Sequence, residues 1–325
     1  MNSPKTLILS TLMHATWISG QALADAAGIS RTAIWKHIHT LREEGYPIKA
    51  SSGRGYRLEY IPDRLGAEAV RAGLRTTVLG RTLVSRPEVD STQNLAKALV
   101  QQGALEGTVV LAESQTQGRG RRGRTWSAIP RGVAMSIILR PDIAPDQAPH
   151  FPLLAGVAVR RAISRTCKLT PGLKWPNDIL IQGLKVVGIL AELDAEMDRI
   201  NAIYLGIGLN VNATREDIPE ELASTATSLR IQSGKEIHRL SLVRSVLEEL
   251  EAAYIIYMSQ GFSSIRQAWK DHNITLGQTV RITSGNTDLT GTALDMIDSG
   301  ALLVRTPDNT ERAVTAGEVH LCPRL

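Results

Sequence analysis

Residues 115–126, running from Gln115 to Trp126, constrain this chain more than any other stretch. Positions 118–124 alternate four arginines with three glycines. A β-branched, apolar run precedes them at 108–111 and another follows at 133–139, which makes the stretch a loop between two strands of a packed domain. Glycine lets backbone approach a ligand closely and leaves its N–H groups available. Arginine adds charge and a forked donor set for phosphate or carboxylate. The combination describes an anion-binding loop, with a merely solvated basic loop and an Arg/Gly nucleic-acid segment as the competing readings. Such nucleic-acid segments are repetitive and disordered, whereas this one is single and bracketed by strands. Gly118, Gly120 and Gly123 fit the dinucleotide fingerprint formally, but Pro130 and Gly132 interrupt the helix that the fingerprint requires. No phosphate-binding G-x-x-x-x-G-K-[ST] loop occurs.

The chain is long enough, at 325 residues, for two or three domains with ample core. Its net charge of +5 suits a polyanionic partner. Two distant cysteines, Cys167 and Cys322, form no metal spacing and point to a reducing compartment. No segment approaches the ~18 apolar residues of a membrane span. The expectation is a cytoplasmic protein that does not engage the membrane.

Residues 1–62 read as a DNA-binding domain. Leu7, Ile8, Leu12 and Met13 fall at helical spacing, a short helix fits 21–26, and Gly28 ends it. Ser30 can cap a third helix reaching about Glu44, with Ile34, Ile38 and Leu41 on its buried face. Strand-like segments 48–50 and 56–58 flank a turn carrying Arg54, the wing of a winged helix-turn-helix. Seven Lys/Arg stand against four Asp/Glu here. Ser30, Arg31, Thr32, Trp35, Lys36, His39 and Arg54 are the candidate DNA contacts.

Residues 63–272 read as the site domain. Ser91 or Thr92 can cap a helix that follows a strand ending at Val89, either as structure alone or with the helix N-terminus facing a ligand. Lys174-Trp175-Pro176-Asn177-Asp178 gathers lysine, amide and carboxylate ahead of a strand at 179–181. Lys185 stands at the mouth of a buried strand, and residues 205–212 run strand-like with two glycines, a sign of close approach. A long amphipathic helix fits 241–258. No Ser/His/Asp set, metal cluster or acid pair stands out. Residues 273–325 show strand-like runs at 279–283, 289–295, 301–305 and 312–321 separated by Gly/Asn turns, a small β domain. The residues alone reach a DNA-binding protein with an anion or nucleotide site.

Taken together, the motifs resemble the bifunctional biotin–protein ligase/biotin operon repressors. Gly53 to Tyr56 in the wing, Asp90-Ser91-Thr92, Gly118 to Trp126, Lys174 to Asp178, Lys185 to Glu192 and Gly206 to Asn212 occur in the family's order, over essentially the whole chain. The resemblance implies an α+β chain: a winged helix-turn-helix, a central α/β ligase domain with a mixed, class II synthetase-like sheet, and an SH3-like C-terminal β-barrel. It implies that biotin's carboxylate attacks the α-phosphate of ATP, and that the resulting biotinyl-5′-AMP acylates a lysine of the biotin carboxyl carrier protein of acetyl-CoA carboxylase. Ser91, Thr92 and Gln115 would hold the fused rings of biotin, and Gln93 would contact biotin as well. Arg119, Gly120, Arg121, Lys185 and Gly188 would line the rest of it. Arg119, Arg121, Arg124, Trp126, Lys174, Asn177, Asp178 and Asn210 would contact ATP, with Asp178 as a possible Mg²⁺ contact. Lys185, Arg121 and Lys174 would carry the chemistry. The adenylate-bound homodimer would bind operator DNA of the biotin biosynthesis genes. A lipoate ligase or octanoyltransferase relative is disfavoured by the Arg/Gly loop and the DNA-binding module. A metabolite-sensing repressor without catalysis is disfavoured by the paired Lys174 and Lys185 motifs.

Overall fold

The computed structural model of the chain describes residues 3–127, 129–284 and 287–322. Three helices, α1 (Pro4–His14), α2 (Gly20–Ala27) and α3 (Arg31–Glu43), precede the hairpin β1 (Ile48–Ser51) and β2 (Gly55–Leu58). Ser3, Ser19 and Ser30 each accept a backbone N–H at the start of their helix, and Gly28 ends α2 at φ 65°. Ile8, Leu9, Leu12, Leu23, Ile34, Ile38 and Leu41 close the core of this module. Each such side chain contributes roughly 1.5–3 kcal/mol on burial. The backbones of Ile18 and Tyr56 exchange two hydrogen bonds of 2.9 and 2.8 Å, adding a third rung to the wing.

The central unit contains α4 (Ala67–Arg71), β3 (Leu83–Val89), α5 (Thr92–Gln101), β4 (Val109–Gln115), β5 (Val133–Leu139), α6 (His150–Cys167), β6 (Gly172–Lys174), β7 (Asp178–Ile181), β8 (Leu184–Ala195), β9 (Ile200–Leu209), α7 (Leu229–Ser233), α8 (Arg239–Gln260) and α9 (Ser263–Lys270). Its seven strands form one sheet in the order β3-β4-β5-β9-β8-β7-β6. Only β3 and β4 run parallel, so the sheet is mixed. Its two faces differ in residue size, and this difference creates the site. Val109, Leu111, Met135, Ile137, Ile203, Leu205 and Ile207 belong to the main core together with α6 and α8. On the other face α5 covers only Val110, Ile138, Ala202 and Tyr204. Beyond it the paired positions are small: Ala134 opposite Gly208, Ser136 opposite Gly206, and Gly188 opposite Gly208. Small side chains leave a hollow there.

The C-terminal unit is a five-stranded antiparallel sheet in the order β13-β12-β11-β10-β14, from β10 (Thr279–Ser284), β11 (Thr287–Met296), β12 (Leu302–Arg305), β13 (Glu311–Val314) and β14 (Glu318–Leu321). The single run expected at 312–321 is two strands, because residues 315–317 turn the chain between them. The turn expected at 285–286 lies outside the described residues. The helices α4 and α9 have no counterpart among the sequence expectations. Residues 210–212, expected to continue a strand, lie past the end of β9.

His150 docks this sheet on α6. Its Nε2–H donates to the Asp298 carbonyl at 3.0 Å, since a carbonyl can only accept. Nδ1 therefore accepts from the Tyr257 hydroxyl at 3.0 Å, and the ring stacks on Phe262 at 3.9 Å. Burial holds the imidazole below its ordinary value near 6.5. A depressed histidine contributes stability that is present above the unfolded value and lost as pH falls. The urea midpoint is therefore expected to drop between about pH 7 and pH 5, and His150→Gln to flatten that drop. An unchanged slope in the variant would contradict this assignment.

Candidate functional site

A cleft of about 530 Å³ opens on the small-residue face of the sheet. All fifteen residues expected to touch biotin or ATP line it, so the structure brings into one cavity positions spread from Ser91 to Asn210. At the closed end stands α5, whose cap Ser91 accepts the Gln93 amide N–H at 3.2 Å. Gln115, the last residue of β4, accepts from the Thr92 amide at 2.8 Å and the Thr92 hydroxyl at 3.0 Å. Ser136 on β5, not foreseen from sequence, lies 2.8 Å from that hydroxyl. Gln93 donates through Nε2 to the carbonyls of Tyr204 and Leu190, while its Oε1 is buried without a hydrogen-bond partner. A buried acceptor of this kind costs about 1–3 kcal/mol unless a donor meets it.

The floor is Trp126. Its indole lies on Gly188 of β8 and Gly208 of β9, where a Cβ at either glycine would stand 2.5 Å from a ring atom. This is the close approach that glycines within strands signal. Lys185 Nζ lies 5.4 Å from the centroid of the same ring.

The open end is basic. Lys185 is fixed by its backbone: its N–H donates to Thr225 at 2.8 Å and its carbonyl accepts from Thr227 at 3.0 Å. Its Nζ stands 2.7 Å from Asp178 Oδ1, an oxygen that takes no well-aligned hydrogen bond. Lys174, at the end of β6, has its pKa lowered by burial and by the Lys185 charge, against the opposing pull of Asp178. Burial and then Arg122 lower that of Arg121, with Asp178 again opposing. Asn177 donates to the Ile189 carbonyl at 2.7 Å and accepts from Arg121 at 3.2 Å. Asn210 is anchored through its backbone, donating to Val186 and accepting from Leu229.

The basic loop itself is folded. Gly120 N–H donates to Arg124 at 2.7 Å and Trp126 N–H to Gly118 at 2.9 Å, leaving a tight helical turn at Arg121–Gly123. The tip reaches the C-terminal sheet: Arg121 donates to the Gly317 carbonyl at 3.4 Å, Arg122 to the Thr283 carbonyl at 2.7 Å, and Arg124 pairs with Glu318 at 2.5 Å. At its base Arg119 lies 3.8 Å from Glu192, which Lys97 also meets at 2.9 Å. Burial pushes Glu318 up, but the Arg124 hydrogen bond and charge outweigh it and hold the carboxyl low. None of these loop partners carries a local sequence signal.

In the N-terminal module, Ser30, Arg31, Thr32, Trp35, Lys36 and His39 are exposed along α3, and Arg54 is exposed on the wing. Trp35 stacks on His39 at 5.6 Å. Trp17, which the sequence reading passed over, lies under Arg54 and Arg57 at 5.7 and 5.2 Å and braces the wing.

The fold and site define a class: a winged-helix module joined to a domain whose cleft gathers cations around a folded arginine loop. Family models agree along the chain. An HTH domain matches residues 5–57, the biotin/lipoate A/B protein ligase family matches 86–210, and the biotin protein ligase C-terminal domain matches 275–321. The bifunctional ligase/repressor BirA of Bacillus subtilis (strain 168) is 43% identical over 301 residues, 92% of this chain and 93% of that protein. Its counterpart in Escherichia coli (strain K12) is 28% identical, covering 98% of each. The structure of the Aquifex aeolicus biotin protein ligase in complex with biotin and ATP superposes with a TM-score of 0.65 at 30% identity, over 75% of this chain and 100% of that one. The chain belongs to the bifunctional ligase/repressor family of biotin protein ligases. Among the described residues no helix is long and apolar enough to cross a membrane.

Proposed function

We propose that this chain joins biotin to ATP and passes the biotinyl group to a lysine of the biotin carboxyl carrier protein of acetyl-CoA carboxylase. In the first step a biotin carboxylate oxygen bonds to the α-phosphorus and the bond to the departing pyrophosphate breaks. In the second, the carrier lysine's amine bonds to the acyl carbon, loses a proton, and AMP leaves. The observation that carries the reading is the polarity of one cleft. Ser91, Thr92, Gln93 and Gln115 offer hydroxyl and amide groups at the closed end, and Arg121, Lys174 and Lys185 offer cations at the open end. A ureido ring has two N–H donors and one acceptor, and the unpartnered Gln93 Oε1 suits one of those donors.

The first step brings two anions together, so charge neutralisation and alignment supply the catalysis without a protein nucleophile. Lys185 sits where carboxylate and α-phosphate would meet. Lys174, Arg124 and Asn177 face the remaining phosphates, while Trp126 and Asn210 border the adenine. Asp178 fits a Mg²⁺ contact: it is a carboxylate lining the cleft, ion-paired there with Lys185. The described residues contain no cluster of three or more metal-ligating side chains. A Mg²⁺ ion held there would neutralise the leaving pyrophosphate.

The module at 1–62 is read as the operator-binding head and 273–325 as the unit that steadies the loop. Homodimerisation is supported by an open strand edge. β8 pairs with β9 as far as Ala195 but with β7 only to Gly188, and Leu193 is exposed on the remainder. Such an edge can pair with another strand, and a dimer would present two winged helices to a two-fold operator. Incubation with ATP, Mg²⁺, biotin and the apo carrier domain, followed by weighing the carrier, tests the ligase reading. The mass of one biotinyl group is expected. An unmodified carrier, or lipoyl or octanoyl addition from the matching donor, would refute it.

A further inference from the structure

Outside the cleft, one buried side chain ties together elements that the ligand site and the DNA-binding head would both move. Arg239, the first residue of α8, is 3% exposed. Its Nε lies 2.9 Å from both carboxylate oxygens of Asp63, and its Nη2 donates to the Asp63 carbonyl at 2.7 Å. Its Nη1 donates to Glu113 Oε2 at 2.7 Å and to the Gly132 carbonyl at 3.0 Å. The three groups so joined have different duties. Asp63 stands in the link that follows the winged helix. Glu113 lies on β4 two residues before Gln115, the last residue of the strand, which receives Thr92 in the cleft. Gly132 ends the segment by which the basic loop rejoins the sheet at β5.

The link is held further. Glu113 Oε1 accepts the Leu65 N–H at 2.6 Å, and Ser85 on β3 donates to the Leu65 carbonyl at 2.5 Å. On the other side Arg64 donates to the Glu44 carbonyl at the end of α3, at 2.6 Å. A continuous path thus runs from the loop exit and the end of β4, through one guanidinium, to the base of the winged helix. A guanidinium is a rigid planar fork, so a shift of one acceptor must be followed by the others or cost a charge-assisted hydrogen bond.

We propose that Arg239 is a positioning residue that couples occupancy of the cleft by biotin and ATP to the geometry of the link at Asp63–Leu65, and so to the winged helix. The proposal rests on the functional reading of the cleft given above, and the Leu65 amide separates the two. That N–H donates directly to Glu113, so its hydrogen exchange reads the junction without DNA or a carrier protein. In the wild-type full chain, saturating biotin with ATP and Mg²⁺ is expected to change Leu65 exchange by about tenfold, within the range of known couplings. Arg239→Lys, which keeps charge but loses the fork, and Asp63→Asn, which keeps a buried arginine, are each expected to reduce that response to less than about threefold. Adenylate formation should stay within about threefold of wild type in both. Variants that respond like wild type would overturn the proposal, as would an unresponsive Leu65 in a wild-type chain that makes adenylate. Loss of adenylate formation in both variants would overturn it too, because Arg239 would then merely shape the cleft. A wild-type chain that forms no adenylate would overturn the functional reading and this proposal together.

Discussion

Replacing Lys185 by alanine is expected to slow biotinyl-5′-AMP formation by about 10²–10³-fold, equivalent to ~3–4 kcal/mol of transition-state stabilisation. The size follows from three features. The backbone of Lys185 is pinned to Thr225 and Thr227, so its charge is placed in advance of the ligands. The side chain is only partly exposed and rests near the Trp126 ring, which limits screening by water. Its removal also leaves Asp178 unpaired beside the incoming anions. Pyrophosphate release in a single turnover measures the effect. Near-wild-type rates in Lys185→Ala would show that the positive charge opposing the two anions comes from elsewhere.

How far the site was legible in the sequence depends on the range of the contact. Ser30 and Ser91 were readable as caps because capping is local, and both side chains accept a backbone N–H within three residues. Glycines inside strands implied close approach, and Gly188 with Gly208 turned out to bed the Trp126 indole. Those residues fix where the cleft is. What periodicity cannot carry is which distant residue meets which. The tips of Arg121, Arg122 and Arg124 end on residues more than 150 positions away, at Gly317, Thr283 and Glu318. Arg239 looks like one more charged residue at a helix start, yet it is buried among Asp63, Glu113 and Gly132. Asn212 shows the opposite error. It sits in a run that pointed to the ligand, but its amide group exchanges hydrogen bonds of 2.8 Å with the backbone of Ile237 and serves the fold.

Arg121→Ala is expected to lower adenylate formation by about 10–100-fold and also to shorten the time the adenylate stays bound. Two physical roles are combined in this side chain. Its charge feels Asp178 at the basic end of the cleft, where burial makes the cation costly to keep and effective when an anion arrives. Its Nη1 also ties the loop tip to Asn177 on one side and to the Gly317 carbonyl of the C-terminal unit on the other. Lysine at this position keeps the first role and weakens the second, since its shorter, freely rotating ammonium lacks the planar guanidinium that fixes Nη1 between the two acceptors. Arg121→Lys should therefore restore much of the rate of formation while leaving the release of labelled adenylate, followed by dilution into unlabelled biotin and ATP, nearly as fast as in Arg121→Ala. Equal recovery of both quantities would mean that the loop holds the intermediate through charge alone and that its tether to the C-terminal sheet has no part in doing so.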